Sequence, residues 1–140
     1  MTQNEIARKW FVKTALSYLG TPYIWGGDDP SGFDCSGFVI ECLKSAGMLT
    51  ENEDYTAEGL YQLYEDKVTT SPSKGNIVFY LNKNRKVFHV SICLDDYFQI
   101  GAFGGDSNNN NIQNAWSKNA FVKIRPIRLN NPNIIYVDLF

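Results

Sequence analysis

The chain has 140 residues, 44% of them apolar and 14% aromatic, with 20% charged and a formal net charge of −2. That length suits one domain around one core, burying roughly two thirds of the unfolded surface, and the composition excludes a disordered polymer. Only Lys83, Arg85 and Lys86 are grouped among the basic residues, so no cationic field exists for a nucleic-acid partner, and no apolar run reaches the length of a membrane span.

In chain order, Gln3 to Leu19 places Ile6, Trp10, Ala15, Leu16 and Leu19 near helical spacing, and Gly20 with Pro22 stops the helix. Gly20 to Phe33 is rich in Gly, Asp, Pro and Ser and reads as a loop. From Asp34 to about Ala46 the stripe Phe38, Val39, Cys42, Leu43 predicts a second helix, which puts Cys35 at its N-terminus. Thr56 to Tyr64 predicts a shorter third helix, weakened at Gly59. After Gly75 the period changes to two, and Asn76–Leu81, Val87–Leu94, Tyr97–Phe103 and Ala120–Leu129 read as strands, with Asn108–Asn111 in a polar loop. Helices followed by a largely antiparallel sheet make an α+β fold, expected as a single domain over residues 1–140.

Three cysteines, Cys35, Cys42 and Cys93, are too few and too odd in number for a disulfide framework, and with one histidine they make no metal site. No metal and no cofactor are expected. A thiol acts as a nucleophile through its thiolate, and a helix N-terminus or a neighbouring imidazolium lowers its pKa. Cys35 has the helix start and His89 is the available imidazole, so the two form the candidate nucleophile and base; Cys42 and Cys93 read as core. On the strand, period-two alternation sets Phe88, Val90, Ile92 and Leu94 on one face and Val87, His89, Ser91 and Cys93 on the other.

The runs Leu19-Gly-Thr-Pro-Tyr-Ile-Trp-Gly-Gly27 and Gly32-Phe-Asp-Cys-Ser-Gly-Phe38 resemble the nucleophile motif of the NlpC/P60 cell-wall peptidases. Gly75–Tyr80 and His89–Ile92 resemble the strands that precede and carry the histidine of that family. The resemblance covers roughly residues 5 to 125. It implies a papain-like NlpC/P60 fold and a cysteine peptidase or amidase acting on a peptidoglycan stem peptide. It further implies Tyr23 beside the nucleophile, with Asp34 and Ser36 binding the amino end of the substrate; the alternatives are a packed aromatic for Tyr23 and helix-start caps for Asp34 and Ser36. The first residues, MTQNEIARKWFVK, lack the apolar block of a secretory signal. Synthesis in the cytoplasm is therefore expected, with delivery to the wall or periplasm by lysis, a bacteriophage particle, a secretion device or a leader outside this sequence; the identity of an inhibitor or phage structural partner stays open.

Two positions depart from the family pattern. The residue that orients the imidazole is commonly a histidine on the next strand, and the matching position here is Gly101; Asn76 stands where the strand commonly begins with aspartate. Apolar faces coincide if Leu94 pairs with Phe98, which puts Phe103 opposite His89, Gly101 diagonal to it and Gln99 opposite Cys93. Gln99 is then more than about 10 Å along the strand from His89 at ~3.3 Å per residue, and reaches the ring only through a bulge. It is carried as the candidate orienting residue, with a backbone carbonyl, a water above Gly101 or a residue of the Gly104–Ser107 loop as the alternatives. The rival to an enzyme is a binding or structural module that keeps the fold without activity.

Overall fold

A computed structural model describes residues 1–29, 31–105 and 108–140. Helix α1 runs Gln3–Ser17 and opens with a reciprocal cap, Thr2 Oγ1 accepting from the Glu5 N–H at 3.1 Å and Glu5 Oε2 accepting from the Thr2 N–H at 3.1 Å. It buries Phe11, Val12 and Ala15, while Ile6, Trp10, Leu16 and Leu19 stay exposed. Of the five residues at helical spacing, Ala15 alone is buried, and the face turned inward is that of Phe11, Val12 and Ala15. The choice is made by long-range partners: Phe11 packs on Phe140 with ring centroids 5.5 Å apart, and Arg8 pairs with Asp138 at 3.2 Å.

Helix α2, Cys35–Ser45, is the central helix, burying Gly37, Phe38, Val39, Ile40, Cys42 and Leu43 on nearly all sides. Helix α3, Ala57–Tyr64, is capped by Thr56 Oγ1, which accepts from the Gly59 N–H at 3.0 Å. Strands β1, Asp28–Asp29, and β2, Gly32–Phe33, form a two-stranded ladder beside the start of α2. The main sheet contains β3 (Val68–Thr69), β4 (Ile77–Leu81), β5 (Val87–Cys93), β6 (Phe98–Phe103), β7 (Phe121–Pro126) and β8 (Ile134–Val137), in the order β3-β8-β4-β5-β6-β7 and antiparallel throughout.

One face of this sheet supplies Ile77, Phe79, Val90, Ile92, Ile100, Ala102 and Val122 to a core shared with Phe11, Phe38, Leu43 and Leu60 of the helices. The opposite face holds a smaller cluster of Val78, Cys93, Ile127 and Tyr136. Strands β1 and β2, within the stretch read as a loop, and strands β3 and β8 and helix α4 lie outside the sequence expectations. Strand β8 sits between β3 and β4, and its four residues are too short a run to declare themselves before their partners are known. Helix α4, Ile112–Ser117, interrupts the polar connection, its first turn capped by Asn111 Oδ1 accepting from the Asn114 N–H at 2.9 Å.

Register puts Cys93 opposite Gln99 and Ile92 opposite Ile100, as the coincidence of apolar faces requires. The first turn of β5 departs from simple alternation. Tyr80 pairs with His89 but the next residue, Leu81, pairs with Val87, so Phe88 is an extra residue in the ladder. The bulge sends Val87 into the core at 7% exposure and leaves Phe88 59% exposed, the reverse of the period-two expectation for both.

Candidate active site

Cys35 is set at the first turn of α2 by a dense local arrangement. Asp34 Oδ1 accepts from the Gly37 N–H at 2.8 Å and its Oδ2 from the Gly26 N–H at 3.1 Å, while the Ser36 hydroxyl donates to Oδ1 at 3.4 Å. The Asp34 N–H in turn donates to the Gly27 carbonyl at 3.0 Å. A side chain at Gly37 would strike that carbonyl and approach Asp34 Oδ1 to 2.9 Å, so the loop and the helix can close on each other only with glycine there. Gly26 itself has φ +74°, a conformation costly for other residues.

Across from the helix, the backbone of β5 at Val90 lies near enough to the Cys35 sulfur to favour its thiolate. Cys35 and His89 line one cleft of about 900 Å³, together with Tyr23, Trp25, Tyr80, Phe88, Gln99, Phe103, Arg125 and Arg128. Tyr23 is buried, and the backbone of Gly105 rests directly against its ring. Asp34 and Ser36 face a neighbouring hollow of about 290 Å³ that also includes Asp28, Asp54 and Tyr55. The residues expected to bind substrate are thus divided, Tyr23 in the main cleft and the two polar ones beside it.

His89 is held between aromatic rings, with Phe103 at 4.8 Å and Tyr80 at 5.3 Å between centroids. Its Nε2 is buried without a hydrogen-bond partner among the described residues. The structure does not bring Gln99 to the imidazole. Gln99 Oε1 accepts from both the Tyr80 and Ser91 hydroxyls, and its Nε2 donates to the Pro126 carbonyl at 3.2 Å. The β5 bulge lies at Phe88, on the far side of His89 from Gln99, so it does not shorten the path between them. The loop Gly104–Ser107 was a further source of an orienting group; its Asp106 and Ser107 lie outside the described residues.

Electrostatics differ from the helix-dipole expectation. Burial pushes the Cys35 thiol up to about 11, with the Asp34 charge adding to it, and the N–H groups of Val90, Ser36 and Cys35 only partly offset this. Burial pulls the His89 imidazole down to about 4, with a smaller contribution from the Arg125 charge. Asp34 is itself raised by burial against the opposing effect of its hydrogen bonds. The free pair therefore rests as thiol and neutral imidazole. No group of three or more His, Cys, Asp or Glu able to hold a metal occurs among the described residues, and no described helix is long and apolar enough to cross a membrane.

The sequence profile of the NlpC/P60 family matches residues 20–126, which include the Cys35 motif, the His89 strand and the wall of the cleft. The chain belongs to the NlpC/P60 family. Among its relatives, protein P54 of Enterococcus faecium is 74% identical over 84 residues, 59% of this chain and 16% of that protein. The gamma-D-glutamyl-L-lysine dipeptidyl-peptidase of Bacillus cereus is 34% identical over 100 residues, 68% of this chain and 29% of that protein. The chain thus spans less than a third of the length of either relative. The NlpC/p60 domain of the peptidoglycan hydrolase SagA superposes with a TM-score of 0.65 at 25% identity, covering 94% of this chain and 98% of that one. A P60 domain from an M. avium subspecies paratuberculosis antigen shares the fold, with a TM-score of 0.70 at 18% identity over 99% of this chain and 98% of its own.

Within this NlpC/P60 domain, several cleft residues carried no sequence signal. Tyr80 and Arg125 looked like ordinary alternating strand positions, and Phe88 looked like core. Arg128 stood at the end of a presumed strand that the structure stops at Pro126.

Proposed function

We propose that this chain is a single catalytic domain that hydrolyses a peptide or amide bond in a peptidoglycan stem peptide, with Cys35 as nucleophile and His89 as general base. The observation that carries the reading is the meeting of the α2 N-terminus and β5 in one cleft, where Cys35 and His89 are both lining residues. The names of the family relatives, a gamma-D-glutamyl-L-lysine dipeptidyl-peptidase and a peptidoglycan hydrolase among them, support the substrate class.

Because the resting pair is neutral, the thiol proton passes to His89 as Cys35 Sγ attacks the scissile carbonyl. The N–H groups at the start of α2 face the charge that develops there. The imidazolium then gives its proton to the departing amine, leaving an acyl-enzyme. His89 next takes a proton from water, the resulting nucleophile attacks the thioester, and the acid product leaves as the thiol is restored. Tyr80 and Phe103 keep the ring in position where other family members use a polar third residue. Tyr23 positions the acyl portion beside the sulfur, and Asp34 and Ser36 receive the amino end of the substrate from the adjoining hollow. Delivery to the wall by lysis, a bacteriophage particle or a secretion device belongs to the same reading, and fractionation of cells carrying a tagged chain tests it.

Mass spectrometry of purified peptidoglycan fragments after incubation tests the activity and identifies the bond cut. New fragments that disappear with Cys35→Ala are expected. Identical fragments from both proteins would overturn the assignment of Cys35, and no fragments from any wall chemotype would favour the rival module, for which the unpartnered Nε2 of His89 and the glycine at position 101 are the supporting features.

A further inference from the structure

Arg125 lies on β7 at the His89 end of the cleft, and its guanidinium sits 4.7 Å from the centroid of the Phe103 ring, the same ring that packs against His89. Arg128, just beyond the strand, lines the same wall. Both side chains are exposed. Neither has a carboxylate partner among the described residues, where the ion pair formed is Arg8 with Asp138 at 3.2 Å, on another part of the surface. A guanidinium lying on an aromatic face is fixed in orientation while its in-plane N–H groups stay open, which is the geometry suited to a bidentate carboxylate. The hollow beside the cleft has the reverse charge. Asp34 immediately precedes the nucleophile, and Asp28 and Asp54 share its hollow. A chain with a net charge of −2 therefore presents a cleft lined by Arg125 and Arg128 and, beside it, a hollow lined by Asp28, Asp34 and Asp54.

During acyl transfer the acyl portion is on the sulfur and the leaving amine is at the imidazole. A group that Arg125 reaches consequently belongs to the leaving portion. We infer that Arg125, assisted by Arg128, is a specificity-determining anion site that binds a free carboxylate on the leaving-amine side of the scissile bond. The inference rests on the proposed hydrolysis and adds to it a direction and a chemical requirement: the substrate lies with its amino end towards Asp34 and a carboxylate towards β7. That carboxylate is either the C-terminal one of a short stem or the side-chain one of a diamino acid, and both present the same planar group to the guanidinium.

The test uses synthetic stem peptides in matched pairs that differ only in carboxylate against carboxamide, at the C-terminus, at the diamino-acid side chain, or on the acyl side. Wild-type protein is expected to prefer the acid over the leaving-side amide by at least about tenfold in kcat/KM, the size typical of a lost charge-assisted hydrogen bond. The position whose amidation matters identifies the carboxylate. In Arg125→Gln the acid-to-amide ratio should collapse towards one, and Arg125→Lys should fall between because it keeps the charge and loses the fork. Equal turnover of acid and leaving-side amide by the wild type, an unchanged ratio in Arg125→Gln, or sensitivity confined to the acyl side would each overturn the inference. Absence of turnover with every peptide would instead overturn the hydrolytic reading. In that case calorimetric binding of the acid and amide pairs to Cys35→Ala, with and without Arg125→Gln, decides the anion site: acid preference that needs Arg125 supports it, and equal binding ends it.

Discussion

Cys35 and His89 line the same cleft, yet their surroundings have opposite character. The cysteine end is built from short-range polar bonds, Asp34 to Gly37, Gly26 and Ser36, all within a dozen residues of one another. The histidine end is built from rings and a ladder brought together across three strands, with Tyr80 and Phe103 against the imidazole and no hydrogen bond at Nε2 among the described residues. A polar cap fixes a helix start by direction. An aromatic sandwich fixes a ring by volume, and it also removes water, which is why the imidazole is displaced so far from its ordinary value. The two ends should therefore fail in different ways.

The largest effect is expected at the cysteine. Cys35→Ala should lower kcat/KM by about 10⁴-fold or more while the unfolding midpoint moves little, because one half-buried sulfur is lost and the Asp34 cap remains. Cys42→Ala and Cys93→Ala should retain catalysis and lose stability, since both thiols are fully buried in apolar clusters. Chemical denaturation beside a turnover assay distinguishes the three, and wild-type turnover by Cys35→Ala would remove the mechanism.

The next effect is in pH dependence. With His89 neutral down to about 4, the acid limb of kcat/KM should lie well below the 6.5 of an ordinary imidazole. Stability follows the same group. Between pH 6.5 and about 4 the unfolded chain takes up the proton while the folded one does not, so the His89 contribution is whole above 6.5 and is lost as pH falls through that window. His89→Gln should flatten the slope of denaturation midpoint against pH there. Asp34 acts with the opposite sign, its raised pKa letting the folded chain take up a proton before the unfolded one as pH falls. Iodoacetamide reaction of free Cys35 should climb as pH approaches 11. Rapid alkylation already at plateau below pH 7 would show a resting ion pair and defeat the neutral-pair account.

Gln99→Ala comes third, and it sharpens the contrast by acting on stability more than on chemistry. Gln99 is only 3% exposed, and its removal leaves the Tyr80 and Ser91 hydroxyls without their acceptor. A loss of about 1–3 kcal/mol is expected from the buried Ser91 hydroxyl, the Tyr80 hydroxyl being only part-buried beside the cleft. A hundredfold fall in kcat in a fully folded variant would mean that Gln99 reaches His89 after all.

The smallest effect is expected at Gly101, where a family-like histidine looked able to complete a triad. An added Cβ would lie 2.9 Å from Ser91 Cβ and 3.2 Å from the Phe103 ring. Gly101→His should consequently push Phe103 against the imidazole and reduce turnover, at a strain of about 1–3 kcal/mol. Higher turnover in this variant would show that the sandwich yields and that a polar orienter can replace it.

Local chemistry by itself determined much of this protein. Thr2 with Glu5, Asp34 with Gly37 and Thr56 with Gly59 are caps between residues three apart, so the helix starts, and with them the position of Cys35, could be read in the chain. Alternation and matching apolar faces likewise determined that Cys93 faces Gln99, because a one-residue slip would turn every side chain over. Only tertiary structure decided the rest. The bulge that exposes Phe88 depends on how Leu81 and Val87 meet, the burial of Phe11 over Trp10 depends on a partner at the far end of the chain, and β8 becomes a strand because β3 and β4 leave a place between them. Desolvation of Cys35 and His89 has the same origin: a helix N-terminus acts through neighbouring N–H groups, but burial sums over everything that packs around the thiol and the ring.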